Sequence, residues 1–274
     1  MGFFGYVTGT VKNLTVDGSV KADSTGSNGI GHAAGVVAYL AGGTVKMCVN
    51  RASVTTDKCC YTAGIVGGSE NGKIKNCRNT GEISSTYEST GGHAAGIANE
   101  AESVTQCWNE GDIELKTVKG KSANSRVAGV ATGAPVLNSA NFGKVSGPTW
   151  AETGVSIGGV GTTAVSNSYN LGTVTGAAGK TYNISGGTVV NSYYADIAGK
   201  TGIYVKDSAG ITDADKSQSI TITEVDGKKA YKVGNVELVD VLNGACKNIS
   251  GALEWINKQE APNNPVHILS LIHI

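Results

Sequence analysis

The chain has 274 residues, of which 40 are glycine and only 3 are phenylalanine, and its formal net charge is zero. Glycine does not recur at every third position, which excludes collagen, and an apolar fraction of 40% without net charge excludes a disordered chain. Zero net charge gives no electrostatic reason to expect nucleic acid or an anionic membrane as a partner. The absence of any run of about 18 apolar residues predicts that no segment spans a membrane.

A unit of about 30 residues repeats along most of the chain. One copy, residues 63–83, contains a small-Gly-apolar-apolar run, a variable loop and the pattern V/I-x-N-C/S-x-N-x-G-x-V/I. In chain order the copies occupy residues 2–28, 31–54, 61–83, 93–113, 126–145 and 155–174, followed by a decayed copy around 189–194. A near-constant period with loops absorbing the variation is typical of stacked repeats.

Each copy predicts about three short strands and three bends, because apolar residues come in pairs or alternate over a few positions between Gly and Asn. One such unit buries too little apolar surface to fold alone. Stacked on its neighbours at ~4.8 Å per layer, it would close a continuous core by parallel pairing. We therefore predict an all-β, right-handed parallel β-helix of about six to seven coils over residues 1–194.

Equivalent positions of successive copies should lie above one another as columns. The second asparagine of the pattern predicts an inward amide ladder at a bend with left-handed backbone, formed by Asn50, Asn79, Asn109, Asn141 and Asn170. An inward aliphatic column is predicted at Val45, Ile74, Val104, Val136 and Val165. Cys48, Cys77 and Cys107 share another column, where stacked buried thiols are favoured over a disulfide and over zinc. No metal or cofactor is expected.

The segments GFFGYVTG-TVKNLTVDGSV and AGIVGG…IKNCRNTGEI resemble the GLUG-motif repeats of bacterial surface and secreted proteins. The resemblance covers roughly residues 2–194, with departures at Met47, Gln106 and Ala52. The end of the chain, with LVDVLNGA at 238–245 and NNPVHI at 263–268, is similar to the closing segment of such arrays. The resemblance implies a right-handed β-helix, export and a cell-envelope or extracellular location, but no single activity.

Residues 195–274 depart from the repeat and predict a small capping region. Residues 218–233 predict a β-hairpin with Asp226-Gly227 as its turn. Residues 236–247 predict a short amphipathic helix. The final six residues, 269–274, resemble a translated sequencing adapter, and the first copy lacks a preceding cap. We therefore expect the chain to belong to a longer polypeptide with different natural ends.

Two columns contain candidate site residues. The outward column beside the asparagines contains Arg78, Trp108, Tyr169 and Tyr193, which would either grip a polymer lengthwise or form an ordinary mixed face. Glu82 and Asp112 should be neighbours in adjacent coils, where two carboxylates would hold Ca²⁺, act in glycosidic cleavage or form a surface charge ladder. His32 and His93 precede Ala-Ala-Gly in two copies but lie ~10 Å apart, too far to share one metal.

These observations lead to one functional prediction and one alternative. The prediction is a non-catalytic, extracellular repeat module of a bacterial surface protein, acting in adhesion, in carbohydrate binding or as a spacer. Its expected partner is a glycan or a host or cell-wall surface. The alternative is a polysaccharide-active β-helix enzyme, a lyase or glycosidase, with Glu82 and Asp112 as its acids.

Overall fold

The chain folds as an all-β solenoid in which parallel strands of successive coils stack about six times. The computed structural model describes residues 1–23, 31–190, 192–196, 203–206, 220–225, 228–233 and 236–238. In this part of the chain every regular element is a β-strand. The predicted β-helix of stacked repeats is confirmed. Two compact units are distinguished, Met1–Gln218 and Ser219–Ile274.

Five parallel sheets run along the solenoid, numbered here in the order in which one coil visits them. Sheet 1 contains His32–Ala34, Tyr61–Ala63, His93–Ala95, Arg126–Ala128, Ser156–Gly158 and Thr181–Tyr182. Sheet 2 contains Phe4–Val7, Val37–Ala41, Val66–Glu70, Ala98–Asn99 and Ala131–Thr132. Sheet 3 contains Thr10–Lys12, Thr44–Lys46, Lys73–Lys75, Ser103–Thr105, Val136–Leu137, Val165–Ser166 and Val189–Val190.

The remaining two sheets complete each coil. Sheet 4 contains Thr15–Val16, Val49–Asn50, Arg78–Asn79, Trp108–Asn109, Ala140–Asn141, Tyr169–Asn170 and Tyr193–Asp196, with Ile203–Lys206 added antiparallel to the last of these. Sheet 5 contains Ser19–Asp23, Ser53–Asp57, Ile83–Thr86, Ile113–Lys116, Val145–Ser146 and Val174–Thr175. A full coil thus has five short strands, and the predicted three was wrong. Two-residue strands such as Arg78–Asn79 are too short for alternation to reveal them.

The asparagine column forms a continuous chain of side-chain hydrogen bonds in the interior. Asn50, Asn79, Asn109 and Asn141 each donate through Nδ2 to Oδ1 of the asparagine in the next coil, over 2.7–2.8 Å. Each Nδ2 also donates to the carbonyl two residues later, as from Asn79 to Gly81 at 2.8 Å. The ladder predicted from the repeat is therefore present. It gives the buried side-chain amides hydrogen-bond partners in the neighbouring coils.

The left-handed residues lie in a different column from the one predicted. Positive φ occurs three residues before the ladder, at Asn13, Met47, Asn76, Gln106, Asn138 and Asn167. The ladder asparagines do not have positive φ. Leu14 follows the first of these residues, and a Cys or Ser follows each of the other five. These Cys and Ser side chains form hydrogen bonds with backbone N–H and carbonyl groups at the bend. For example, the Cys107 N–H donates to Ser139 Oγ at 3.1 Å, and Ser139 Oγ donates to the Leu137 carbonyl at 2.9 Å.

The apolar interior consists of two clusters. The larger lies under sheets 2, 3 and 4 and includes the aliphatic column predicted at Val45, Ile74, Val104, Val136 and Val165, each at most 2% exposed. The smaller lies between sheets 1 and 5, around Val54, Ile83, Ile113 and Val145. A Cβ at Gly64, in the glycine column of the first run, would overlap the Asn79 side chain and the Gly96 carbonyl. The ladder and this glycine column therefore depend on each other.

The second unit is a small antiparallel sheet in its described part. Ile220–Val225 pairs with Lys228–Val233, which confirms the two strands of the predicted hairpin, while its turn residues 226 and 227 lie outside the described residues. The helix predicted over 236–247 was wrong at its start, because Val236–Leu238 pairs with the second hairpin strand. Alternating apolar residues fit a strand as well as a helix over so short a run. The rest of that segment and residues 269–274 lie outside the described residues.

Candidate functional site

The outward column of sheet 4, here called the aromatic row, contains Arg78, Trp108, Tyr169 and Tyr193. Strand register places Arg78 beside Trp108 and Tyr169 beside Tyr193, with Ala140 between the two pairs. Arg78 donates from Nη2 to Glu110 Oε2 at 2.7 Å, and both side chains are about 30% exposed. The aligned positions are as the repeat predicts, but Ala140 interrupts the row.

Trp108 and Tyr169 are half-buried, and their surroundings differ. The indole N–H of Trp108 is buried and has no hydrogen-bond partner. Tyr169 packs edge-on against Phe142, with ring centroids 5.8 Å apart. Two layers separate Trp108 from Tyr169, or ~10 Å at 4.8 Å per layer, and the small Ala140 lies between them. The row therefore contains two separate half-buried aromatic side chains with the buried Ala140 between them, and of Tyr193 only the backbone position is described.

Glu82 and Asp112 occupy adjacent coils, as predicted, but they do not converge on a groove. Both residues are exposed. Asp112 Oδ1 accepts a hydrogen bond from the backbone N–H of Lys144 at 2.8 Å. Neither residue lines the cleft described below. This is the arrangement of an exposed charge ladder, in which neighbouring charges contribute little to stability.

His32 and His93, which precede Ala-Ala-Gly in two copies, belong to one continuous ring stack. Tyr61 lies between them, parallel to His32 at 4.9 Å and edge-on to His93 at 4.8 Å. Tyr39 packs on His32 at 4.9 Å, and Tyr6 stacks on Tyr39 at 5.8 Å. Stacked rings cover one another's faces, so this stack stiffens the outer surface and offers mainly ring edges to a ligand.

A polar cleft of about 480 Å³ lies where the ring stack ends. Its lining includes Tyr61, Tyr87, His93, Glu100, Asn124 and Arg126. Sheet 1 supplies Tyr61, His93 and Arg126 from three consecutive coils. Glu100 follows the sheet 2 strand Ala98–Asn99, and loops between coils supply the rest. The Tyr61 hydroxyl donates to Glu100 Oε1 at 3.2 Å, and His93 Nδ1 lies 3.8 Å from the same oxygen.

Burial sets the protonation states of the rings around this cleft. His93 is 5% exposed, and burial, with the Arg126 charge nearby, lowers its pKa to about 4. The imidazole is therefore neutral at pH 7. Burial lowers the pKa of His32 as well. Burial and the Glu100 carboxylate raise the pKa of Tyr61, so its hydroxyl stays protonated and able to donate.

Glu100 has a left-handed backbone, with φ of 54°. At the equivalent end of sheet 2 strands in other coils the left-handed residues are Gly42, Asn71 and Gly133. Glycine and asparagine tolerate this conformation, whereas for glutamate it is uncommon. The sequence carried one signal for the cleft, the column His32, Tyr61, His93 and Arg126 before each Ala-Gly run. Nothing in the sequence placed Glu100 or the loop residues beside that column.

The cysteine column confirms the thiol interpretation. Cys48, Cys77 and Cys107 are buried and free, and burial raises the pKa of the Cys77 thiol far above its usual range. Among the described residues, no group of three or more His, Cys, Asp or Glu side chains is placed to hold a metal ion. No helix in the same part of the chain has the length and hydropathy needed to cross a membrane.

Comparisons of the chain with protein-family models, with curated proteins and with solved structures find no match.

Proposed function

We propose that the chain is a non-catalytic, extracellular module of a longer bacterial surface protein, built from GLUG-type repeats, and that it binds carbohydrate. The observation that carries the proposal is the aromatic row on a stiff solenoid. Arg78, Trp108 and Tyr169 have backbone positions fixed by sheet 4 and side chains that remain half-exposed. Aromatic faces beside a guanidinium suit sugar rings, which combine apolar C–H faces with hydroxyls.

Ala140 determines which positions of the aromatic row could contact a sugar. Ala140, which lies between the two aromatic residues, is only 4% exposed, so a sugar would be contacted by Trp108 and Tyr169 and not by the position between them. A sugar residue placed against Trp108 would lie beside Arg78, whose guanidinium is paired with Glu110. A solenoid that repeats every ~4.8 Å would present such contacts along a polymer rather than at one point.

A glycan array with three proteins tests this proposal. Wild type should bind a defined set of glycans, and Trp108→Ala should reduce that binding about tenfold or more, as expected when an aromatic anchor is lost. Trp150→Ala is the matched control, because Trp150 is 39% exposed and lies outside the row. Equal binding by all three proteins, or binding by none, would remove the aromatic row from consideration.

The geometry gives less support to the alternative enzyme. A glycosidase needs two carboxyl groups that face one scissile bond across a groove. Glu82 and Asp112 are instead exposed, and one oxygen of Asp112 is already engaged by a backbone N–H. We therefore do not propose catalysis by this pair.

A further inference from the structure

The cleft beside Glu100 has the features of a ligand site separate from the aromatic row. Its volume of about 480 Å³ lies within the range of small-molecule sites in proteins. Its lining is polar and includes Tyr61, Asn124, Glu100 and Arg126. A lining of this kind suits a ligand that carries many hydroxyls, because each buried donor or acceptor then finds a partner.

Arg126 is the group that defines the ligand's charge. Within the described part of the chain its guanidinium makes no ion pair and no side-chain hydrogen bond. Its Nη1 atom and the Glu100 side chain both flank Gly133, where even a Cβ would come within 3.6 Å of Nη1 and 3.2 Å of Glu100 Cγ. Glycine at this position keeps the space between the two charged groups open. A guanidinium without a partner binds a carboxylate or phosphate through two parallel hydrogen bonds.

Glu100 supplies a hydrogen-bond acceptor, whereas Arg126 supplies donors. Its side chain is 44% exposed, and one oxygen is held by the Tyr61 hydroxyl at 3.2 Å. A carboxylate accepts hydrogen bonds only, so it suits hydroxyl donors of a ligand.

We propose that this cleft binds an acidic sugar residue, with Arg126 bonding its anionic group and Glu100 accepting hydrogen bonds from its hydroxyls. This inference depends on the proposed carbohydrate binding in one respect: it assumes that the negatively charged ligand is a sugar. A neutral sugar would leave Arg126 without a partner, and a simple anion would leave Glu100 facing a like charge. An acidic sugar satisfies both groups.

Ligand-observed NMR titrations of the whole chain test the proposal. The probes are glucuronate, galacturonate and glucose 6-phosphate, with glucose and galactose as neutral counterparts of the same ring shape. At least one acidic sugar should bind about tenfold more tightly than its neutral counterpart, and added salt should weaken this binding. Equal binding of neutral and acidic sugars, or no binding of any acidic sugar, would overturn the proposal.

Two arginine variants assign the binding to the cleft. Arg126→Gln should lose about tenfold or more in affinity for the acidic sugar, and Arg126→Lys should lose less because it keeps the charge without the two-pronged geometry. Arg51→Gln is the control, because Arg51 is exposed and pairs with Asp17 outside the cleft. Circular dichroism checks that each variant is folded. Unchanged binding by folded Arg126→Gln would refute the assignment.

The same titration on Trp108→Ala separates this inference from the proposed function. Trp108 is not among the residues that line the cleft, so its loss should leave acidic-sugar binding unchanged. Glycan-array binding that fails while the Arg126-dependent titration succeeds would refute the aromatic row and support the cleft. The reverse pattern would refute the cleft alone.

Discussion

Replacing Asn109 with alanine tests whether the asparagine ladder holds the coils together. Asn109 is fully buried in the middle of the ladder. Its Nδ2 group donates to the Gly111 carbonyl at 2.6 Å and to Asn141 Oδ1 at 2.8 Å, and its Oδ1 atom accepts from Asn79 Nδ2 at 2.7 Å. The alanine variant therefore loses three hydrogen bonds between buried groups.

The expected loss of stability follows from the groups that remain. The Asn141 oxygen, the Asn79 amide and the Gly111 carbonyl each lose a partner in a place that water does not reach. A buried polar group left unsatisfied costs about 1–3 kcal/mol. Because the Asn79 amide keeps its bond to the Gly81 carbonyl, we expect a total of ~3–5 kcal/mol rather than the full sum.

Equilibrium urea unfolding, followed by circular dichroism, measures this loss. Thr55→Ala, at an exposed position of sheet 5, is the control and should change stability by no more than about 0.5 kcal/mol. Each coil contacts mainly its neighbours, so hydrogen exchange should increase most in residues 61–146. A loss in Asn109→Ala no larger than in the control would refute the role assigned to the ladder.

Three further predictions concern backbone space, pH and strain. Gly96→Ala should destabilise the solenoid by about 3 kcal/mol or more, because its Cβ would overlap the next coil and the ladder, whereas Gly5→Ala, with open space around it, should change urea stability little. His93 has a pKa of about 4 in the fold and near 6.5 when unfolded. Between these two pH values the unfolded chain therefore binds more protons than the folded chain. The contribution of His93 to the free energy of unfolding, up to ~3 kcal/mol, is thus complete above about pH 6.5 and is lost as the pH falls to 4. The stability difference between wild type and His93→Gln, measured by urea unfolding at pH 7 and 4.5, should change accordingly, and a pH-independent difference would contradict this. Glu100→Asn should raise the free energy of unfolding by about 1 kcal/mol by relieving left-handed strain, and a lower thermal midpoint would count against the strain.

The stacked architecture was predictable because, in parallel coils, residues one repeat apart in the sequence lie next to each other in space. Asn79 and Asn109, one repeat apart in the sequence, are directly paired in sheet 4. The same rule placed Ile74 against Val104. The number of strands per coil was not predictable, because a strand such as Trp108–Asn109 contains no full alternation.

The cleft was less accessible to sequence reasoning. Its sheet 1 residues lie in one column and could be aligned, but Glu100 follows a sheet 2 strand of two residues where the previous coil has one of five, Val66–Glu70. The pairing of Ala98 with Val66 and with Ala131 aligns Glu100 with Gly68 and Gly133, which have no side chains to mark a column. Asn124 lies in the loop between Ile113–Lys116 and Arg126–Ala128, and the loops at this place differ in length among the coils, so they carry no periodic signal.

The asparagine ladder also gives the solenoid a dipole along its axis. Every side-chain amide in it points its N–H group toward the later coil, so the individual dipoles add rather than cancel and polarise one another. The series stops where Val16 precedes Asn50 and where Tyr194 follows Asn170. The early end is therefore slightly negative along the axis and the late end slightly positive. Two copies meeting early end to late end would find matching polarity, and two meeting by like ends would not.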